Sequence, residues 1–282
     1  MTTIGLLHPG AMGVTVGASA LASGGRVVWA SAGRSAATRE RAEGAGLQDV
    51  RDLQALVDES AVIVSVCPPA AAEDQAREVA AAGFSGIYVD ANAVSPATAR
   101  DIAAAFAGGA ASFVDGGIIG PPAVRPGSTR LYLAGQRAGE VTRLFADGAL
   151  EVLTLEAPAG AASALKMAYA SYTKGTTALL AAIHALAKSE GVHDALLREW
   201  ERSQPDLPRR SQAAIPASAL KAWRFVAEMK EIAATFEAAG LPGEFHRGAA
   251  EIYARLAGFK AAQQAPGLDE VSRRLLRSWS DS

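Results

Sequence analysis

The chain has 282 residues, half of them hydrophobic and a fifth charged, with a formal net charge of −2. That length suits two domains at roughly 150 residues each, and a near-neutral chain without a basic run argues against nucleic acid or an anionic membrane as its main partner. The single cysteine, Cys67, excludes an internal disulfide and suits a reducing compartment. From Met1 the chain enters an apolar strand at once, with no basic leader before it. The alanine-rich stretches are broken by Lys, Glu, Arg or Gly before the roughly 20 residues that a membrane span requires. A soluble cytoplasmic protein is the expectation.

In chain order, residues 3–7 read as a continuously apolar strand, followed by the turn His8-Pro9-Gly10-Ala11-Met12-Gly13 and a helical stretch over 11–22. Strands are expected at 26–30, 62–66, 86–90 and 111–115, with alanine-rich helices between them, such as 96–107. Strands without polar alternation belong to a parallel sheet covered on both faces. The βαβα order implies a doubly wound α/β domain with right-handed crossovers. Residues 130–134 and 151–154 suggest a hairpin-like pair at the sheet edge. After Pro158-Ala159-Gly160 the pattern becomes helical, with one long helix over 161–189 and further helices at 193–203, 217–239 and 243–259. Residues 204–210, with Pro205 and Pro208, read as a loop, and a loosely held tail is expected from Pro266-Gly267 onward. The fold class is thus an α/β Rossmann domain, 1–157, followed by an all-α domain, 158–282, opened by a long interdomain helix.

The turn after the first strand carries the first functional signal. A glycine-rich turn between strand and helix lets the backbone approach a pyrophosphate and aims a helix N-terminus at it. Of the Gly-x-Gly-x-x-Gly fingerprint the second and third glycines are present as Gly10 and Gly13, while His8 takes the first slot. Position completes the reading, because the turn follows the first strand and a second strand comes at the right distance. The cofactor-binding set is therefore His8, Pro9, Gly10, Ala11, Met12 and Gly13.

The end of the second strand discriminates between dinucleotides. Sites for NAD usually place Asp or Glu there for the ribose 2′-hydroxyl, whereas NADP sites accommodate a phosphate. Here the stretch Val28-Trp29-Ala30-Ser31-Ala32-Gly33-Arg34-Ser35 has no carboxylate before Glu40. Ser31 and Ser35 offer hydroxyls, and Arg34 offers a guanidinium matched to phosphate geometry. NADP(H) is the expected cofactor.

These residues, and more of the chain, resemble the 6-phosphogluconate dehydrogenase and β-hydroxyacid dehydrogenase superfamily. Residues Ile4 to Gly13 are similar to the family's opening, which ends in Gly-x-Met-Gly. Val66-Cys67-Pro68-Pro69 stands where the family has a short loop beside the nicotinamide, which adds Cys67 and Pro68 to the cofactor set. The segment Asp90-Ala91-Asn92-Ala93-Val94-Ser95-Pro96 resembles the family's Asp-x-Ser/Thr-x-x-x-Pro, with Asn92 in the hydroxyl position, and Asp115-Gly116-Gly117-Ile118-Ile119-Gly120 stands at its substrate loop. Gly160 to Tyr169 resembles the start of the long helix that carries the catalytic lysine, here Lys166. The run Trp223 to Phe236 looks like a poorly characterised branch with its own C-terminal helical domain. The resemblance also implies a homodimer built from the helical half.

Two departures bear on the substrate. Ala170 stands where hydroxyacid dehydrogenases carry an asparagine, and Ile119 where they carry a serine. A pocket short of two polar donors favours a larger or more apolar substrate over a short hydroxy acid.

Apart from any kinship, Lys166 has a chemistry of its own. Hydride transfer to a carbonyl leaves an oxyanion that needs a proton and a positive partner, and the reverse needs a base on the alcohol. A lysine in a desolvated site serves both, because burial draws its pKa toward neutrality. Lys166 lies early in an apolar helix, where a lysine has to be paired, snorkelling or functional. The resemblance implies in addition that Tyr169, one turn on, offers an auxiliary hydroxyl, the alternative being a packed ring, and that Asn92 orients substrate or nicotinamide ribose. His184, His193 and His246 are scattered singly in the sequence, no cluster has metal-ligand spacing, and no metal is expected.

The reading is an NADPH-dependent oxidoreductase that interconverts a carbonyl and an alcohol on a small substrate. An imine reductase of the same architecture, or a non-catalytic NADPH-binding sensor, are the alternatives.

Overall fold

The computed structural model describes residues 1–276. Contacts divide the chain into two compact units, Met1–Met167 and Ala168–Ser282.

The first unit opens with strand β1 (Thr3–Leu7), helix α1 (Gly13–Ala22), β2 (Arg26–Trp29), α2 (Ala36–Gly44), a two-residue β3 (Gln48–Asp49), α3 (Leu53–Glu59) and β4 (Val62–Ser65). It continues with α4 (Ala72–Ala81), β5 (Ile87–Asp90), α5 (Pro96–Ala104), β6 (Ser112–Ile119), β7 (Thr129–Ala134), α6 (Ala138–Thr142) and β8 (Leu150–Leu155). Helix α7 (Ala161–Ser189) follows. The eight strands form one sheet in the order β3-β2-β1-β4-β5-β6-β7-β8. Every neighbouring pair is parallel except β6 and β7.

The strands are apolar on both faces because both faces are covered. Val27 and Trp29 of β2, Val62 and Val64 of β4, and Ile87 and Val89 of β5 join one core, with Val14, Val16 and Ala20 of α1 and Val141 of α6. The alternate residues Val28, Ile63 and Tyr88 join the other, with Leu56 of α3, Val79 of α4 and Ile102 of α5. This is the doubly wound arrangement that continuous apolar strands require.

The hairpin-like pair expected at 130–134 and 151–154 is corrected. Its strands, β7 and β8, run parallel, because α6 carries the chain back across the sheet before β8 begins. The antiparallel step lies one strand earlier, between β6 and β7, with Gly117 opposite Tyr132.

The second unit is helical: the remainder of α7, then α8 (His193–Ser203), α9 (Leu207–Ala219), α10 (Ala222–Ala238), α11 (Glu244–Leu256) and α12 (Leu268–Leu276). Two expectations fail here for local reasons. The loop expected at 204–210 already contains the start of α9, because Pro208 sits in the helix's first turn, where its missing N–H costs nothing. The tail expected from Pro266 is a helix through Leu276 that buries Val271, Ser272 and Leu275 and carries acids in its first turn and arginines in its last. The rest of that expected tail, 277–282, lies outside the described residues. No helix among the described residues is long and apolar enough to cross a membrane.

Candidate functional site

Strand register sets the site. Leu7, Ser65, Asp90 and Asp115 are successive partners across β1, β4, β5 and β6, so they form a row at the carboxyl edge of the parallel sheet. The turn after Leu7, the loop after Ser65 and the segment after Asp90 therefore emerge side by side. In open α/β sheets this edge is where ligands bind.

At the β1 end, His8 adopts a left-handed backbone with φ of 65°. That is the conformation for which glycine serves at this slot, and histidine is among the side chains that enter it more readily than most. The turn is closed by Gly10 N–H donating to the His8 carbonyl at 2.7 Å. A Cβ on Gly13 would stand 2.4 Å from that same carbonyl, so the turn itself demands a glycine there. A Cβ on Gly10 would meet nothing nearer than 4.0 Å, so the protein's own packing does not explain that glycine. A backbone left bare there is what close approach of a pyrophosphate requires. The His8 ring finds no well-formed hydrogen bond for its buried Nδ1. Burial, and then the neighbouring Arg34, push its pKa down to about 4, so the ring is neutral at pH 7. Ala11 is exposed, and Met12 packs against the core beside α1.

After β2, Arg34 turns inward: its Nε is buried without a hydrogen-bond partner, and burial lowers its pKa. Ser31 is buried and donates its N–H to Asp49 Oδ1 at 3.2 Å, and Ser35 caps α2 by accepting from Thr38 N–H. Asp49 is a carboxylate that linear reading missed, because β3 brings it beside β2, opposite Trp29. Burial pushes its carboxyl up, but hydrogen bonds from Ser31 and Arg51 and the nearby Arg39 outweigh that and hold it below the usual range. Two arginines were missed as well. Arg39 donates to the Ser31 and Arg34 carbonyls, each at 3.4 Å, and Arg41 to the Pro9 carbonyl at 3.1 Å. Their only linear signal was their spacing after Arg34.

At β4 and β5 Asn92 links the two strands. Asn92 is buried; its Oδ1 accepts from Cys67 N–H at 2.5 Å, and its Nδ2 donates to Ser65 Oγ at 3.0 Å and Asp90 Oδ1 at 2.5 Å. Both amide hydrogens are thus used inside the protein, and Asn92 fixes the Cys67-Pro68 backbone. Asp90 is fully buried, and burial, with Asp115 adding, pushes its carboxyl up to about 7. Burial likewise raises the Cys67 thiol to about 11, so it is protonated and unreactive at neutral pH.

At β6 the strand grips the start of α7. Asp115 accepts from Gly160, Ala162 and Ser163 N–H groups at 2.8, 2.8 and 3.0 Å. Lys166 Nζ donates to the Ile118 carbonyl, a neutral partner. Burial pushes its amine down from 10.5 to about 8. Ile119 is buried in β6 opposite Arg130.

The remaining candidate residues lie in the second unit. Tyr169 is half exposed, and Ala170 is buried. The histidines expected to be scattered are not all so. His184 is fully buried, with Nδ1 2.9 Å from His193 Nε2 and Nε2 3.0 Å from Ser211 Oγ. This chain ties α7, α8 and α9 together. No group of three or more His, Cys, Asp or Glu side chains among the described residues could hold a metal ion.

Residues 187–256 match a family described as a domain of unknown function, DUF1932. An uncharacterised 28.5 kDa protein of Methanothermus fervidus is 31% identical over 172 residues, which cover 61% of this chain and 66%, just under two thirds, of that protein. The conserved protein MTH1747, of unknown function and structurally similar to 3-hydroxyacid dehydrogenases, is 26% identical, with a TM-score of 0.69 over 92% of this chain and 98% of its own. A 3-hydroxyisobutyrate dehydrogenase from Salmonella typhimurium, at 17% identity, shares the fold with a TM-score of 0.68 over 97% of this chain and 99% of its own. The chain has the architecture of the hydroxyacid dehydrogenases in the 6-phosphogluconate dehydrogenase superfamily, a Rossmann domain followed by a helical domain.

Proposed function

We propose that this chain is an NADPH-dependent oxidoreductase that interconverts a carbonyl and an alcohol on a small, rather apolar substrate, with Lys166 as the acid/base group. The observation that carries the reading is the row at the sheet edge: the open cradle at Gly10 and the β6 strand that holds Lys166 follow residues in register. Solved neighbours of the same fold include a reductive aminase in complex with NADPH and ethyl levulinate and an imine reductase variant in complex with NAD+, and they support a nicotinamide cofactor.

His8, Pro9, Gly10, Ala11, Met12 and Gly13 would hold the pyrophosphate, and Ser31, Arg34 and Ser35 the phosphate on the ribose. Cys67, Pro68 and Asn92 would border the nicotinamide. Arg39 and Arg41 favour the phosphate-bearing cofactor, and the charge of Asp49, whose Oδ1 accepts from the Ser31 and Arg51 N–H groups, is offset by the nearby Arg39. When bound, the cofactor supplies or accepts the hydride at the carbonyl carbon. In reduction the Lys166 ammonium gives its proton to the carbonyl oxygen; in oxidation the neutral amine takes the hydroxyl proton. A pKa near 8 places both forms within reach of physiological pH. An ammonium also repels an iminium, which favours carbonyl over imine chemistry.

The chain is proposed to pair with a second copy through α7. Tyr172, Leu179 and Leu186 recur every seven residues and are 64%, 46% and 61% exposed, the spacing of a helix–helix seam. Light scattering should return a dimer mass.

Cofactor absorbance, followed against ketones, hydroxy acids and cyclic imines, tests the reaction. Turnover of a ketone or hydroxy acid that Lys166→Ala abolishes, with NADPH still bound, is the expected result. Unchanged turnover in that variant would remove the assignment.

A further inference from the structure

Helix α7 begins without a capping side chain of its own. Its first residue is Ala161, and the preceding Gly160, with φ of 100°, has none to offer. A helix start leaves N–H groups without intrahelical partners and carries partial positive charge. Here β6 meets both needs. The fully buried Asp115 takes the Gly160, Ala162 and Ser163 N–H groups on Oδ2 and the Ser163 hydroxyl on Oδ1 at 2.6 Å. Two residues on, a Cβ on Gly117 would lie 2.6 Å from the Ala162 carbonyl and 3.2 Å from Lys166 Cβ, so strand and helix touch closely there. One residue further, the Ile118 carbonyl accepts from Lys166 Nζ.

We propose that Asp115 is the positioning residue for Lys166: by capping α7 from β6, it seats the first turns of the helix so that the amine stays on the Ile118 carbonyl and out of water. The proposal rests on the reading of Lys166 as the acid/base group. Asp115 acts through geometry rather than as a counter-charge. It spends its acceptors on the cap, Asp90 beside it on β5 is bonded to Asn92, and burial is what lowers the Lys166 amine.

Titration of the amine itself tests this without any substrate. The chain has six lysines, so labelled lysine side-chain carbons can be followed by NMR across pH, with Lys166 assigned by its loss in Lys166→Met. Asp115→Ala should move the Lys166 midpoint up by one unit or more from about 8 as the amine gains water. A rise of one unit lowers the neutral fraction at pH 8 about fivefold. Asp115→Asn, which keeps an acceptor of the same shape, should move it less. Asp52→Ala, which removes the comparable carboxylate cap of α3, should lower stability and leave the midpoint in place. Should Asp115→Ala not fold, Asp115→Asn and Ser163→Ala carry the comparison. An unmoved midpoint in the folded Asp115 variants would overturn the proposal, and a fall would show a counter-charge instead. A failed substrate search would count against the oxidoreductase and leave this titration readable.

Discussion

Around β1 and β2, buried polar atoms lack partners: His8 Nδ1 and Arg34 Nε are both enclosed and unbonded, and Gly10 faces open space. Around β5, β6 and the start of α7, the reverse holds. Asn92 has both amide hydrogens engaged, Asp115 accepts four hydrogen bonds, and Lys166 rests on a carbonyl. An unsatisfied buried group costs on the order of 1–3 kcal/mol. A fold that tolerates two together leaves room for a ligand to complete them. A largely satisfied cluster has a different use, since it holds side chains in place without help from a ligand. On the proposed reading, the contrast separates the end that would receive the cofactor from the end that would seat the acid/base group. Two atoms of β5 are exceptions at the satisfied end: the Tyr88 hydroxyl, and Asp90 Oδ2, unpartnered on a carboxyl whose proton burial retains up to about pH 7.

Each prediction presses on one side of that contrast. Lys166→Ala should lower kcat/KM by about 10²–10⁴, the usual range for a positioned acid/base group, while the NADPH Kd by fluorescence titration moves less than about threefold. A comparable loss in both would merge the two ends. Asp115→Ala should destabilise the fold by about 3 kcal/mol, since it frees several buried donors at once. In a chain of this size that amounts to a Tm lower by roughly 6–12 °C in a thermal melt. Arg34→Ala should weaken NADPH by about 10–100-fold, one to two steps of 1.4 kcal/mol, and leave NADH nearly unchanged.

The pH dependence follows from the Lys166 amine at about 8. In the proposed reaction, reduction would use the ammonium and should decline as pH rises through that value; oxidation would use the amine and should rise to a plateau above it. A stability term has the same origin. The folded-state pKa lies below the unfolded 10.5, so the unfolded chain holds the extra proton between them, and stability should increase with pH across that window. The smallest effect concerns His8. His8→Gly should be more stable than His8→Ala by about 1 kcal/mol in a denaturant titration, because only glycine enters the left-handed region freely; the opposite order would contradict the strained turn.

Much of the fold was legible because its cause is local. Continuous apolar runs announce strands covered on both faces, and the long alanine-rich pattern announces α7. The misses have local causes too. Helix α6 is only five residues long, too short to leave a periodic signal, so the crossover between β7 and β8 looked like a hairpin. Pro208 and the Pro266-Gly267 step looked like breaks, although one opens α9 and the other precedes α12. At the site, Gly10, Gly13 and Lys166 stand out because turn and helix are contiguous in sequence. Asp49 reaches β2 from β3, and Asp115 finds its partners 45 to 48 positions along the chain. Contacts of that span leave no pattern in a single chain.

The most direct test is a fluorescence titration of the wild-type chain and Arg34→Ala with NADPH and NADH. The account predicts that the wild type binds NADPH at least about tenfold more tightly than NADH, a difference of 1.4 kcal/mol, and that the variant loses this preference. Equal or tighter binding of NADH by the wild type, or no binding of either, would contradict it.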